Sequence, residues 1–221
     1  MKVPAAVSGT AVAVDRSRHA TMYDRQGEAG EMERPTARDT RLTYEDFLLF
    51  PDDGMRHELI DGEHYVTPSP NWRHQVLVGR LYFEIESILR RHPGIGRVFL
   101  SPLDVIFTTW DIVEPDLLFV AGDQIEIITE KNVQGAPALV IEVLSPGTRQ
   151  RDEGIKLRLF DRGAVREYWL VDPERDRVTV CRRQPDGSFP RVSELSRDEH
   201  DVLATPLIPH LAIALVQLFE T

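Results

Sequence analysis

The run Ala138-Leu139-Val140-Ile141-Glu142-Val143-Leu144 constrains this chain more than any other segment. A nearly unbroken apolar stretch of this kind is the pattern of a central strand buried on both faces of a sheet. Glu142 puts a charge where such a strand prefers Val or Ile, and Pro115-Asp116 does the same in a second apolar stretch. Burying an unpaired carboxylate costs several kcal/mol, so each acid needs a compensating partner.

Taken singly, either acid is well explained by a strand end or an arginine partner. Taken together, Asp116 and Glu142 suit a shared divalent cation, because Mg²⁺ takes hard oxygen ligands, commonly one or two carboxylates completed by water and substrate phosphate. Lys156 follows on an expected helix, with Asp152 four residues before it on the same face and Arg149 a further turn back. By itself Lys156 reads as a surface lysine paired with Asp152. Beside a metal, a lysine orients the attacking water and offsets charge growing on a phosphorane.

The rest of the chain supplies an alternation of helices and strands. Thr43 reads as a helix cap, and Asp61-Gly62 between two extended runs is a hairpin signal. Ser69-Pro70 reads as the cap and first residue of a long amphipathic helix carrying Leu77, Leu81, Ile85 and Ile88, ending near Pro93-Gly94. Val98 to Phe107 and Ile112 to Val120 read as strands, Thr148 as the cap of a basic helix running to Gly163, and Glu167 to Val171 and Val178 to Val180 as two further strands. The fold class is α/β of the α+β type, a mixed β-sheet flanked by helices over residues 41–221. Residues 1–40 show no periodicity and read as a disordered leader or an over-extended translation start, with Met22 or Met32 as alternative beginnings.

Composition narrows the function. No apolar run is long enough for a membrane helix and no secretory signal opens the chain, so a cytoplasmic protein is expected. Cys181 is the only cysteine, which leaves oxygen or imidazole to hold any metal. A net charge of -10 argues against binding nucleic acid through bulk electrostatics, although Arg149, Arg151, Lys156, Arg158, Arg162 and Arg166 form a local basic stretch.

The order Glu58-Leu59-Ile60-Asp61-Gly62, His74 at the opening of a helix, Pro115-Asp116, Glu142-Val143-Leu144-Ser145-Pro146, Lys156, then Glu167-Tyr168-Trp169-Leu170-Val171-Asp172 resembles the Uma-two family. That resemblance covers about residues 41–218 and implies a restriction-endonuclease-like fold of the PD-(D/E)XK nuclease superfamily. It further implies a Mg²⁺-dependent endonuclease, with Mn²⁺ as a substitute, acting on nucleic acid, DNA before RNA, with no membrane partner and a homodimer left open. Asp116 matches the first acid and Glu142 the second. The place two residues later, usually Lys, is Leu144, and Lys156 is assigned to supply the missing ammonium. Glu58 matches an acid that joins metal binding in some members, while His74, Arg149 and Asp152 are candidate substrate contacts. Phe160 stands where the family often has a tyrosine.

Two other readings stay open. Leu144, Phe160 and the acidic charge allow a degenerate binding module that keeps the fold without hydrolysis. The apolar end from Leu207 to Phe219 fits either a docking helix in the core or an assembly surface.

Overall fold

The computed structural model describes residues 41–67 and 69–220, so the expectation for residues 1–40 lies outside the described residues. Thr43 opens α1 (Tyr44–Phe47) with a reciprocal cap: its hydroxyl accepts from Asp46 N–H, and the Asp46 carboxylate accepts from Thr43 N–H. Asp61 and Gly62 both take positive φ, 55° and 75°, and so turn β1 (Arg56–Ile60) tightly into β2 (Glu63–Thr67).

The long helix α2 (Trp72–Arg91) is capped by Asn71, two residues beyond the expected Ser69, because Asn71 Oδ1 accepts the His74 N–H at 3.0 Å. Leu77, Leu81, Ile85 and Ile88 form its buried stripe.

Both strands expected next are divided. Val98 to Phe107 becomes β3 (Gly96–Leu100) and β4 (Val105–Thr108), and Ile112 to Val120 becomes β5 (Asp111–Val113) and β6 (Leu117–Ala121). Pro102 and Pro115 fall in the breaks, where a residue without an N–H cannot continue a ladder. Asp116 therefore stands at the entry to β6 rather than inside a strand.

A 3₁₀ turn (Gly122–Ile127) leads to β7 (Val133–Gln134) and then to β8 (Leu139–Val143), which is fully buried. The helical crossover after it has three parts: α3 (Arg149–Arg151), a π turn (Asp152–Lys156) and α4 (Leu157–Arg162). Thr148 makes no side-chain cap, contrary to expectation; the Ser145 carbonyl receives the N–H groups of Thr148 and Arg149. β9 (Glu167–Asp172), β10 (Arg177–Arg182), β11 (Arg191–Ser196), β12 (Val202–Leu203), β13 (Ile213–Ala214) and α5 (Leu215–Leu218) complete the chain.

The strands form a six-stranded sheet in the order β11-β10-β9-β8-β6-β3, a five-stranded sheet β2-β1-β5-β4-β7 and the small pair β12-β13. β8 and β9 are parallel and joined by the helical crossover; β6 pairs with β8 antiparallel. Alternation along β8 separates its faces: Leu139, Ile141 and Val143 pack under α2, whereas Val140 and Leu144 pack with Ile60, Val105, Leu159 and Phe160. Leu211, Ile213, Leu215, Leu218 and Phe219 enter the first of these cores, so the apolar chain end packs within its own domain. No described helix is long and apolar enough to cross a membrane.

Candidate active site

Glu142 has the same parity on β8 as Val140 and Leu144, so it faces the layer that carries the π turn and the β1-β2 hairpin. Asp116, one residue before β6, points to the same side. The π turn widens the helix locally and turns Asp152 and Lys156 inward, where both are buried; such turns recur at functional sites. Tyr168 donates its hydroxyl hydrogen to the Asp152 carbonyl at 3.2 Å, which satisfies an oxygen in the distorted turn.

The resulting cluster is tightly bonded. Lys156 Nζ lies 2.7 Å from Glu142 Oε1, 2.8 Å from Glu58 Oε1 and 3.8 Å from Asp152 Oδ1. Asp116 accepts from Arg56 Nη1 at 2.8 Å, from His74 Nε2 at 2.9 Å and from the Val143 N–H at 2.8 Å. Its own N–H donates to Glu142 Oε2 at 3.4 Å. Glu58 Oε1 accepts the Glu114 N–H at 3.1 Å, and Arg151 Nη2 lies 3.6 Å from Glu58 Oε2. Asp116, Glu142 and Lys156 are 2%, 3% and 3% exposed, so these charges meet one another before they meet water.

The two principal acids are driven apart electrostatically. Burial works to raise Asp116, but the His74 hydrogen bond and charge, Arg56 and the Val143 N–H overcome it and hold the carboxyl at about 2. Burial pushes Glu142 up to about 8, with Asp116, Asp152 and Glu58 adding to the push and Lys156 opposing it. Burial also works to neutralise Lys156, yet Glu142, Glu58 and Asp152 keep it firmly protonated. Glu114, whose N–H donates to Glu58, is raised to about 7 by burial, then by Asp104 and Glu58.

A cavity of about 180 Å³ opens onto the cluster, lined among others by Arg56, His74, Asp116, Glu142, Asp152 and Lys156. Of the residues expected from sequence, Glu58, His74, Asp116, Glu142, Asp152 and Lys156 come together here. Arg149 does not: its guanidinium is held by Asp172 at 2.6 and 2.9 Å and by Glu174 at 2.9 Å. The sequence marks neither Arg56 nor Arg151 as a site residue, because a cation near a hairpin and one in a basic stretch do not say which distant acid each meets. Leu144 is buried in the second core, and Phe160 packs edge-on to Tyr168 at 4.8 Å, so neither the strand position nor that ring reaches the cavity.

A divalent metal is implied by a site of this type, and the donor chemistry fits a hard cation. Asp116 and Glu142 supply carboxylate oxygens on one side of the sheet, and buried Glu58 Oε2 has no hydrogen-bond partner. As they stand, Arg56 and Lys156 engage these oxygens, and among the described residues no three His, Cys, Asp or Glu side chains are already spaced to hold an ion.

A mixed sheet flanked by helices, with acids at the ends of neighbouring strands and a lysine beside them, is the architecture of restriction-endonuclease-like proteins. The family model described as "Putative restriction endonuclease" matches residues 44–216, and the chain belongs to that family, Uma2. An uncharacterized Synechocystis protein, slr1290, is 26% identical over 160 residues, covering 70% of this chain and 81% of the relative. A crystal structure described as a putative nuclease belonging to DUF820, from Anabaena variabilis, superposes with a TM-score of 0.67 at 22% identity, covering 80% of this chain and 97% of the other; at that identity it speaks for the fold.

Proposed function

We propose that this protein is a Mg²⁺-dependent endonuclease that hydrolyses phosphodiester bonds of nucleic acid, DNA before RNA, with Mn²⁺ able to replace Mg²⁺. The observation that carries the reading is the buried ammonium of Lys156 set between Glu142 and Glu58, at 2.7 and 2.8 Å, in a cavity shared with Asp116. A structural ion pair alone does not call for further buried acids around one lysine. Removing charges from water is costly, and sites that collect them are candidates for function.

Asp116 and Glu142 would hold the cation, with Glu58 as a third oxygen donor, and the bound cation supplies Lewis-acid polarisation of the phosphoryl group. His74 and the Val143 N–H keep Asp116 ionised and fixed in orientation. Lys156, held by Asp152 and the two glutamates, places positive charge where water attacks and where charge grows on the phosphoryl oxygens. Arg56 and Arg151 line the same cavity and suit non-bridging phosphate oxygens.

The test is incubation of the full chain with supercoiled plasmid and labelled single-stranded and duplex DNA and RNA, with Mg²⁺, Mn²⁺ or EDTA. Metal-dependent cleavage by wild type, lost in folded Asp116→Ala and Lys156→Ala variants, is the expected result. Cleavage that survives either substitution would overturn the assignment. Absence of cleavage on every polymer would leave the degenerate binding module as the better reading.

A further inference from the structure

The site cavity shares lining residues with two further hollows. It shares Arg151 with a groove of about 600 Å³ between β2 and the π turn, lined also by Tyr65, Gln150, Gly154 and Arg158. It shares Arg56, His74 and Asp116 with a chamber of about 540 Å³, whose walls include Met55, Val78, Gly79, Leu100 and Pro102. The two differ in chemistry. Arg158 is exposed and forms no ion pair among the described residues, and nothing stands within 4 Å of a Cβ built on Gly154, so the groove offers positive charge over an open floor. The chamber mixes apolar walls with polar ones, Asp52, Gln75 and Ser101 among them, and the buried Glu114 Oε2 on its wall has no hydrogen-bond partner.

We propose that the cleft takes a single-stranded polynucleotide, with phosphates along the Arg151-Arg158 groove, the scissile phosphate in the central cavity and an unstacked nucleoside in the chamber. This rests on the hydrolytic reading of the central site and adds the form of its substrate. Three observations favour one strand over a duplex. The catalytic side chains are almost wholly buried above a cavity of about 180 Å³, which a flexible strand can enter and a stacked, paired backbone cannot. The chain carries a net charge of -10, and a duplex brings about one phosphate charge per 1.7 Å, twice that of either strand. Tyr65 lines the groove with the Arg151 guanidinium 5.6 Å from its ring centroid, a cation and ring that together suit a nucleotide, and Trp72, 69% exposed next in sequence to cavity-lining Asn71, offers an open aromatic face beside the hollows for an unpaired base. The chamber also has the size of ordinary small-ligand pockets, about 300 to 1,000 Å³, which is ample for one nucleoside.

The experiment measures fluorescence anisotropy of the full-length Glu142→Gln protein in Mg²⁺ with a short labelled DNA strand, the same sequence as RNA, and a hairpin duplex of that sequence. Both strands are expected to bind at least about tenfold more tightly than the duplex, and the DNA and RNA arms report which sugar is preferred. Gly154→Phe in the groove and Gly79→Phe in the chamber are each expected to weaken strand binding about fivefold or more. Both glycines lie in helical backbone with room for a Cβ, so the variants should keep the wild-type melting temperature. Duplex binding equal to or tighter than strand binding, or strand affinity unmoved by both phenylalanines, would overturn the inference. Plasmid cleavage by wild type, run in parallel, keeps the two claims apart. Metal-dependent duplex cutting without strand preference removes this inference and leaves the nuclease, whereas strand preference without any cutting removes the nuclease and leaves the strand path.

Discussion

Replacing Glu142 by Gln should make the metal-free protein more stable while destroying its activity. Burial raises the Glu142 carboxyl from 4.5 to about 8, so between those values the folded state binds a proton that the unfolded state has released. The unfolded state therefore binds fewer protons, and stability falls as pH rises across that window. Each pH unit above 4.5 costs about 1.36 kcal/mol, or roughly 3 kcal/mol by pH 7. Glutamine resembles the protonated acid and escapes this cost. Because Lys156 is bonded to the same oxygen, we take the net gain as about 1 to 3 kcal/mol, a rise in Tm of about 3 to 10 °C for a domain of this size.

The assay is thermal unfolding of wild type and Glu142→Gln in EDTA from pH 6 to 8.5, repeated with Mg²⁺. The gap between the two proteins should widen from pH 6 to 8. Mg²⁺ should stabilise wild type more at pH 8 than at pH 6, because the cation competes with the proton on Glu142. The variant should lose most of that response. A Glu142→Gln protein that melts at or below wild type across this range, or responds equally to Mg²⁺, would refute the reasoning.

Lys156→Met leaves Glu58, Glu142 and Asp152 without their shared cation and should destabilise the metal-free protein by about 3 to 5 kcal/mol in chemical denaturation, with part recovered on adding Mg²⁺. Asp116, held at about 2, contributes stability that is present above its usual 3.8 and lost as pH falls towards 2; Asp116→Asn should flatten that acid limb of an unfolding-against-pH series. Arg149→Ala should lower stability by about 1 to 2 kcal/mol through the lost Asp172 pair yet leave the cleavage rate per folded molecule unchanged in the plasmid assay.

Much of this architecture could be read from local pattern. The apolar run at β8, the Asp61-Gly62 turn and the α2 stripe each declare themselves within a short window, because strand burial, turn geometry and helix period are local properties. The breaks at Pro102 and Pro115 were also written in the sequence, but the apolar residues on either side mask them, and only the sheets show that the chain leaves one layer for the other there. The largely polar β11 and the two-residue strands β7, β12 and β13 have no clear periodic signal of their own; their partners make them strands. The acids and lysine could be suspected because charge in an apolar context is costly. Arg56 could not, since its importance is a contact with Asp116 across 60 residues of chain.

On the proposed reading, the charges around the cavity would let one lysine from a helix serve where a strand lysine is absent. Glu58, Asp116, Glu142 and Asp152 face Lys156, Arg56 and Arg151, so four carboxylates against three cations leave one negative charge, apart from the His74 imidazole. A proton on Glu142 cancels it, which is the state its raised affinity describes. A divalent cation that displaces this proton leaves one positive charge in excess, and one phosphodiester restores balance. A lysine at position 144 would lie in the core with Ile60 and Leu159. The π turn instead brings Lys156 beside Glu142 of β8, within reach of three acids at once, and in the proposed reaction its charge would face the incoming phosphate.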